Sequence, residues 1–237
     1  VISNTLGGGL AVTQNVANVF YVNVANATTA ASMTWGDFNG DGYLDLYIAR
    51  TTNSTTGGIF YNDKTGSFAT NASLVGTNTV EGFLSVAIDW NHDGQKDIIK
   101  FSGYSAAQTA TLLTNINKGA SWGTSTLKSG LVGVTGVSAM DYNWDGAVDL
   151  IVSQQTGKIV YIKNDQSIAA GTALHLRIVD SQGINCYYGN TVQLFDSSGK
   201  LVATEIINAQ SGYGVNDSSA LVNFYGLNSN ETYSATI

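Results

Sequence analysis

Apolar and polar residues alternate over short stretches of this chain, and no window keeps a 3.6-residue period for the length of a helix. The runs "ASMTWG", "LYIA", "FLSVAI", "IIKF", "GVSAM" and "LIVS" are rich in β-branched and aromatic residues. Gly, Asn, Ser and Thr clusters separate them. This pattern predicts strands joined by turns, and hence an all-β fold.

The runs come in pairs, and each pair flanks the same kind of loop. "DFNGDGYLDL" starts at Asp37, "DWNHDGQKDI" at Asp89 and "DYNWDGAVDL" at Asp141, an interval of 52 residues both times. A third strand-like piece follows each pair: "GIFYND", "TLLTNIN" and "KIVYIKND". Four short strands in about 50 residues are the pattern of a propeller blade. Three loops account for about three blades, and a closed ring takes roughly four to eight. The expectation is therefore an incomplete ring or part of a larger propeller, with open strand edges that favour self-association. From about Gly171 the repeat stops. "TALHLRIVD" reads as a strand and "GNTVQLFDSSGKLVATEII" as a hairpin turning at Ser198-Gly199. The expected division is blades over 1–168 and a small β-sandwich-like module over 169–237.

Composition narrows the partners. With 17 acidic against 10 basic residues the net charge is −7, which argues against nucleic acid, whose recognition needs a basic face. No apolar run reaches the ~18 residues of a membrane span. Charged residues make up only 11%, and neutral polar residues take their place, as on many secreted and cell-surface β proteins. Cys186 is the single cysteine, so no disulfide forms within the chain and something else must stabilise the loops.

Nine of the 17 acidic residues lie in the three loops. Side-chain oxygens recur at positions 1, 3, 5 and 9 of D-x-N-x-D-G-x-x-D. Position 7 can add its main-chain carbonyl, and the glycine at position 6 permits a sharp turn. Carboxylates this close repel each other unless a cation sits among them. Ca²⁺ accepts six to eight oxygens in flexible geometry; Mg²⁺ demands a stricter octahedron, and Zn²⁺ wants thiolate or imidazole. A single copy could be a plain Asx-rich turn; three copies in register are not explained that way. An EF-hand would carry Glu at position 12, where Ile48, Lys100 and Val152 stand. A strand pattern also follows each loop in place of a helix, which argues against a dockerin too.

These loops resemble the calcium loops of FG-GAP or VCBS repeats, which form β-propeller blades in integrin α-subunits and many bacterial surface proteins. The resemblance covers roughly residues 30–166. It implies three Ca²⁺ sites: Asp37, Asn39, Asp41, Tyr43 and Asp45; Asp89, Asn91, Asp93, Gln95 and Asp97; Asp141, Asn143, Asp145, Ala147 and Asp149. The position-7 residues would contribute only their main chain, and the metal's role would be mostly structural. The tail, with "SGYGVND" and "VNFYGL", resembles the ASPIC/UnbV module that often follows such repeats in secreted proteins. It lacks that family's closing Trp-Pro strand, which suggests a chain cut short of the module's end or completed by another.

No catalytic constellation is visible. Asp63, Glu81, Asp165, Asp180, Asp196, Glu205, Asp217 and Glu231 are scattered, and His92 and His175 fall in no nucleophile or zincin motif. His175 reads as a half-buried strand residue. Gly7-Gly8-Gly9 reads as a flexible connection. Phe38, Trp90 and Tyr142, all at loop position 2, read as packing between blades. Position 4 varies among Gly40, His92 and Trp144, as an exposed site would. The sequons at Asn26, Asn53, Asn71, Asn216 and Asn230 are no more than chance supplies in so Asn- and Thr-rich a chain. The expected function is a non-enzymatic, extracellular or cell-surface module for adhesion or for binding a protein or glycan. Alternatives are a structural subunit of a surface assembly, or the non-catalytic part of a larger secreted enzyme.

Overall fold

A computed structural model describes residues 2–3, 11–12, 30–50, 58–64, 82–102, 107–168, 172–183, 189–207, 215–217 and 221–237. Cys186, Glu81, Gly7–Gly9 and the sequons Asn26, Asn53 and Asn71 lie outside these residues. The described residues are all-β, built from several small sheets, and among them there is no closed barrel and no helix. In particular, none there is long and apolar enough to cross a membrane.

Strands β1 (Ile2–Ser3) and β2 (Ala11–Val12) form a small antiparallel pair. The first repeat follows as a sheet of β3 (Ala30–Gly36), β4 (Asp45–Arg50) and β5 (Gly58–Phe60). The second repeat is a four-stranded antiparallel meander: β6 (Leu84–Ile88), β7 (Asp97–Phe101), β8 (Gln108–Ile116) and β9 (Ser121–Leu131). The third contributes β10 (Val134–Met140), β11 (Asp149–Gln154) and β12 (Ile159–Ile162). Four strands per repeat are thus met, among the described residues, only in the second. In each repeat the D-x-N-x-D-G loop joins the first strand to the second, and its position-9 aspartate opens the second strand.

The repeats stack face to face, because the strands' period of two gives each sheet two apolar faces. Phe38, Tyr47, Ala49 and Ile59 of the first sheet pack with Ile98 and Leu113 of the second. The other face of the second sheet (Leu84, Val86, Ile99, Phe101, Leu112) packs with Val137, Ala139, Leu150, Val152 and Ile162 of the third. Ser32 and Ser85, buried between the first two sheets, share a hydrogen bond of 2.7 Å.

The C-terminal part begins with β13 (Leu174–Arg177), β14 (Thr191–Phe195) and β15 (Leu201–Ile206) and continues with β16 (Val215–Asp217), β17 (Leu221–Phe224) and β18 (Ser234–Thr236). The hairpin β14–β15 turns at Ser198-Gly199, as its sequence predicts. Strand β18 extends it on one edge, and β13 pairs with β17 in a second sheet. Val192, Leu194, Val222, Phe224 and Leu227 form the core between them. Strand β16 joins the third repeat instead, parallel to β10.

Candidate metal centre

The three loops have one backbone path. Position 6 is left-handed in each: Gly42 (φ 93°), Gly94 (86°) and Gly146 (92°). So is position 4: Gly40 (69°), His92 (60°) and Trp144 (62°). Left-handed backbone suits glycine and strains a bulky side chain, so His92 and Trp144 hold a turn their own chemistry disfavours.

The hydrogen bonds repeat as well. The position-1 carboxylate accepts from the N–H groups of positions 5 and 6: Asp37 from Asp41 and Gly42, Asp89 from Asp93 and Gly94, Asp141 from Asp145 and Gly146, all within 2.8–3.2 Å. The Asn39, Asn91 and Asn143 side-chain oxygens accept from the same position-5 N–H. Asp41, Asp93 and Asp145 accept from the N–H of Tyr43, Gln95 and Ala147. The position-9 aspartates Asp45, Asp97 and Asp149 are fully buried. One oxygen of each takes the position-2 N–H (Phe38, Trp90, Tyr142), and the other takes the N–H of Asn62, Asn115 or Asn164.

Those three asparagines, at the ends of the third strands, are structural residues outside the D-x-N-x-D-G-x-x-D motif. The Asn115 amide donates to Phe38 O (2.9 Å) in the preceding loop and to Lys96 O (3.1 Å) in its own. Asn164 does the same with Trp90 O (2.9 Å) and Val148 O (3.3 Å). The Asn62 amide donates within its own repeat, to Leu44 O, and among the described residues to no neighbouring sheet. The signal was available: the pieces "YND", "TNIN" and "KND" share an asparagine just past the apolar run.

Sequence expectations for the loop neighbours hold unevenly. Phe38 and Trp90 are buried between sheets, at 0% and 4% exposure. Tyr142 is 58% exposed and leans on Tyr161, because no described sheet follows the third. Position 4 is open only at Trp144, which is 88% exposed. His92 instead packs on Tyr225 with ring centroids 4.6 Å apart, and its buried ring nitrogens have no hydrogen-bond partner. His175 does lie in a strand, but exposed and bonded to Asn223, not half-buried. Its strand is at the surface of the small C-terminal module, too thin to bury both faces.

The C-terminal module sits on the loops. The Gln193 side chain donates to Gly42 O (3.1 Å), and the Tyr225 hydroxyl donates to Gly146 O (3.0 Å). Lys96 of the second loop and Glu205 of β15 form an ion pair of 2.7 Å. Gly226 lies so close to the second loop that a Cβ there would come 2.6 Å from the Asp93 carbonyl carbon. Only glycine fits that approach, and its φ of 65° is also left-handed.

Oxygen is the donor at every expected ligand position (1, 3, 5, 7 and 9), which matches a hard cation such as Ca²⁺. Among the described residues no three carboxylates or imidazoles stand together as a ready-made metal cage. Each carboxylate oxygen nevertheless has more lone pairs than its N–H bonds consume. The electrostatics favour a cation. Burial, together with neighbouring carboxylates, pushes the Asp45 and Asp89 carboxyls up to about 7 and Asp97 to about 6. Burial also raises Asp37. Negative charge in the first two loops is held at a cost that a bound cation would remove. The residues therefore fit the ion: positions 1, 3 and 5 would hold it, and it would supply counter-charge beside buried carboxylates such as Asp37, Asp45, Asp89 and Asp97.

Stacked small antiparallel sheets with equivalent loops between first and second strands define a β-propeller-type repeat module. The family comparison agrees: residues 37–100 match the model of the FG-GAP-like repeat, a span that takes in the first two loops. No curated protein matches the chain.

Proposed function

We propose that this chain is a calcium-stabilised, non-enzymatic repeat module that works outside the cell or at its surface, in adhesion or in binding a protein or glycan. What carries the reading is the identity of the three loops in backbone path and hydrogen bonding, with buried carboxylates that lack a full counter-charge. FG-GAP-like repeats are common in extracellular proteins, which supports the location. The C-terminal module is read as ASPIC/UnbV-like, and the repeats as kin to VCBS as well as FG-GAP blades.

Calcium at extracellular modules binds at about 10⁻⁴–10⁻³ M. Binding to the native state alone then adds roughly 0.4–1.4 kcal/mol per site at millimolar Ca²⁺. Unfolding midpoints in EDTA and in millimolar CaCl₂ test this: the expected result is a higher midpoint with calcium, and equal midpoints refute it. Equilibrium dialysis of Asp41→Ala should find one fewer Ca²⁺ per chain than the parent.

A further inference from the structure

At position 8 the second loop carries a charge that its neighbours lack. Position 8 is Leu44 in the first loop and Val148 in the third, but Lys96 in the second. Lys96 cannot swing into solvent. Its side chain is only 16% exposed, its stem lies near Gly36, and its ammonium is held by Glu205 of the C-terminal module. Asp89, Lys96, Glu205 and Thr204 line one cavity of about 60 Å³ where the second loop meets the module. The buried Thr204 hydroxyl has no hydrogen-bond partner, so the cavity is polar and large enough for water. The lysines beside the other loops are of another kind. Lys64 lies 3.6 Å from Asp41 and Lys163 3.8 Å from Asp145, each about half exposed and free to move aside at little cost.

We infer that the C-terminal module regulates the second cation site: the Lys96–Glu205 pair sets that loop's affinity, so that occupancy of the loop and seating of the module are linked. The inference rests on the calcium reading of the loops. A fixed positive charge beside Asp89 opposes a divalent cation, and Glu205 offsets most of that charge when the module is seated. Linkage is reciprocal, so calcium in the second loop strengthens the module's seat by the same factor that the module strengthens calcium binding.

Calorimetric titration of the full chain with CaCl₂ tests this, using Lys96→Met, Glu205→Gln, the double variant and Leu44→Lys. Lys96→Met should tighten one site and Glu205→Gln should weaken one site, each by roughly fivefold or more. The double variant should return near the parent. Leu44→Lys, which places the same charge at the matching position of the first loop, should weaken one site even if Lys96→Met fails to fold. Loss of a merely structural contact would weaken binding in both single variants and in the double. That result, or unchanged affinities throughout, overturns the inference while the calcium reading stands. A parent that takes up no Ca²⁺ overturns both.

Discussion

The second and third loops carry almost the same motif and meet different fates. Trp90 is buried beneath the third sheet, whereas Tyr142, its counterpart 52 residues on, is 58% exposed. The faces that carry them differ in the same sense. Leu84, Val86, Phe101 and Leu112 of the second sheet correspond to Gly136, Ser138, Ser153 and Tyr161 of the third. Ser153 hydrogen-bonds Thr135, and the Tyr161 hydroxyl donates to Asp149. Terminal units of a stacked array take a more polar outer face because no neighbour covers it. A motif residue thus has a fixed place in its loop, but its energetic role depends on what stacks above it.

The sharpest way to break the comparison is truncation at position 2. Trp90→Ala should cost about 3–5 kcal/mol, as large aromatic deletions in cores do. Tyr142→Ala should cost about 1 kcal/mol or less. Urea unfolding of the two variants measures both, and equal losses would mean that the third sheet is covered after all.

The asparagines give the next largest contrast. Asn164→Ala removes two donated bonds, one across the sheet interface, and strands buried carbonyls. The expected loss is about 2–3 kcal/mol, against about 1 kcal/mol for Asn62→Ala, which breaks no bond between sheets.

A pH series sharpens the contrast electrostatically. In the native state Asp45 and Asp89 keep protons to about pH 7 and Asp97 to about pH 6, whereas the unfolded chain releases them near 3.8. Between those values the native state binds more protons, so stability falls as pH rises from 4 to 7. This slope belongs to chelator-treated protein. Saturating Ca²⁺ should flatten it by favouring the ionised carboxylates. Melting midpoints across that range check it, and a midpoint that climbs with pH in EDTA contradicts it.

The smallest effect concerns position 4. Trp144→Gly should stabilise by about 0.5–1 kcal/mol, since an exposed left-handed residue gains by losing its Cβ. His92→Gly should not, because it also deletes the packing on Tyr225. Thermal melts of the pair decide it.

What the sequence determined by itself is the repeated unit. Strand, loop and strand are local, and the loop's turn follows from glycine at position 6 and from carboxylates that bond amides a few residues away. The hairpin at Ser198-Gly199 is local for the same reason. Tertiary structure alone decided which equivalent residues are equivalent in energy. Asn115 and Asn164 act across 77 and 74 residues of chain, Gln193 across 151 and Tyr225 across 79. The asparagine recurs in the chain but its partner in the preceding loop is not marked there, and Gln193 and Tyr225 have no recurring counterpart. An aromatic at position 2 looks the same in the chain whether a sheet covers it or solvent does, because burial belongs to the neighbour and not to the residue.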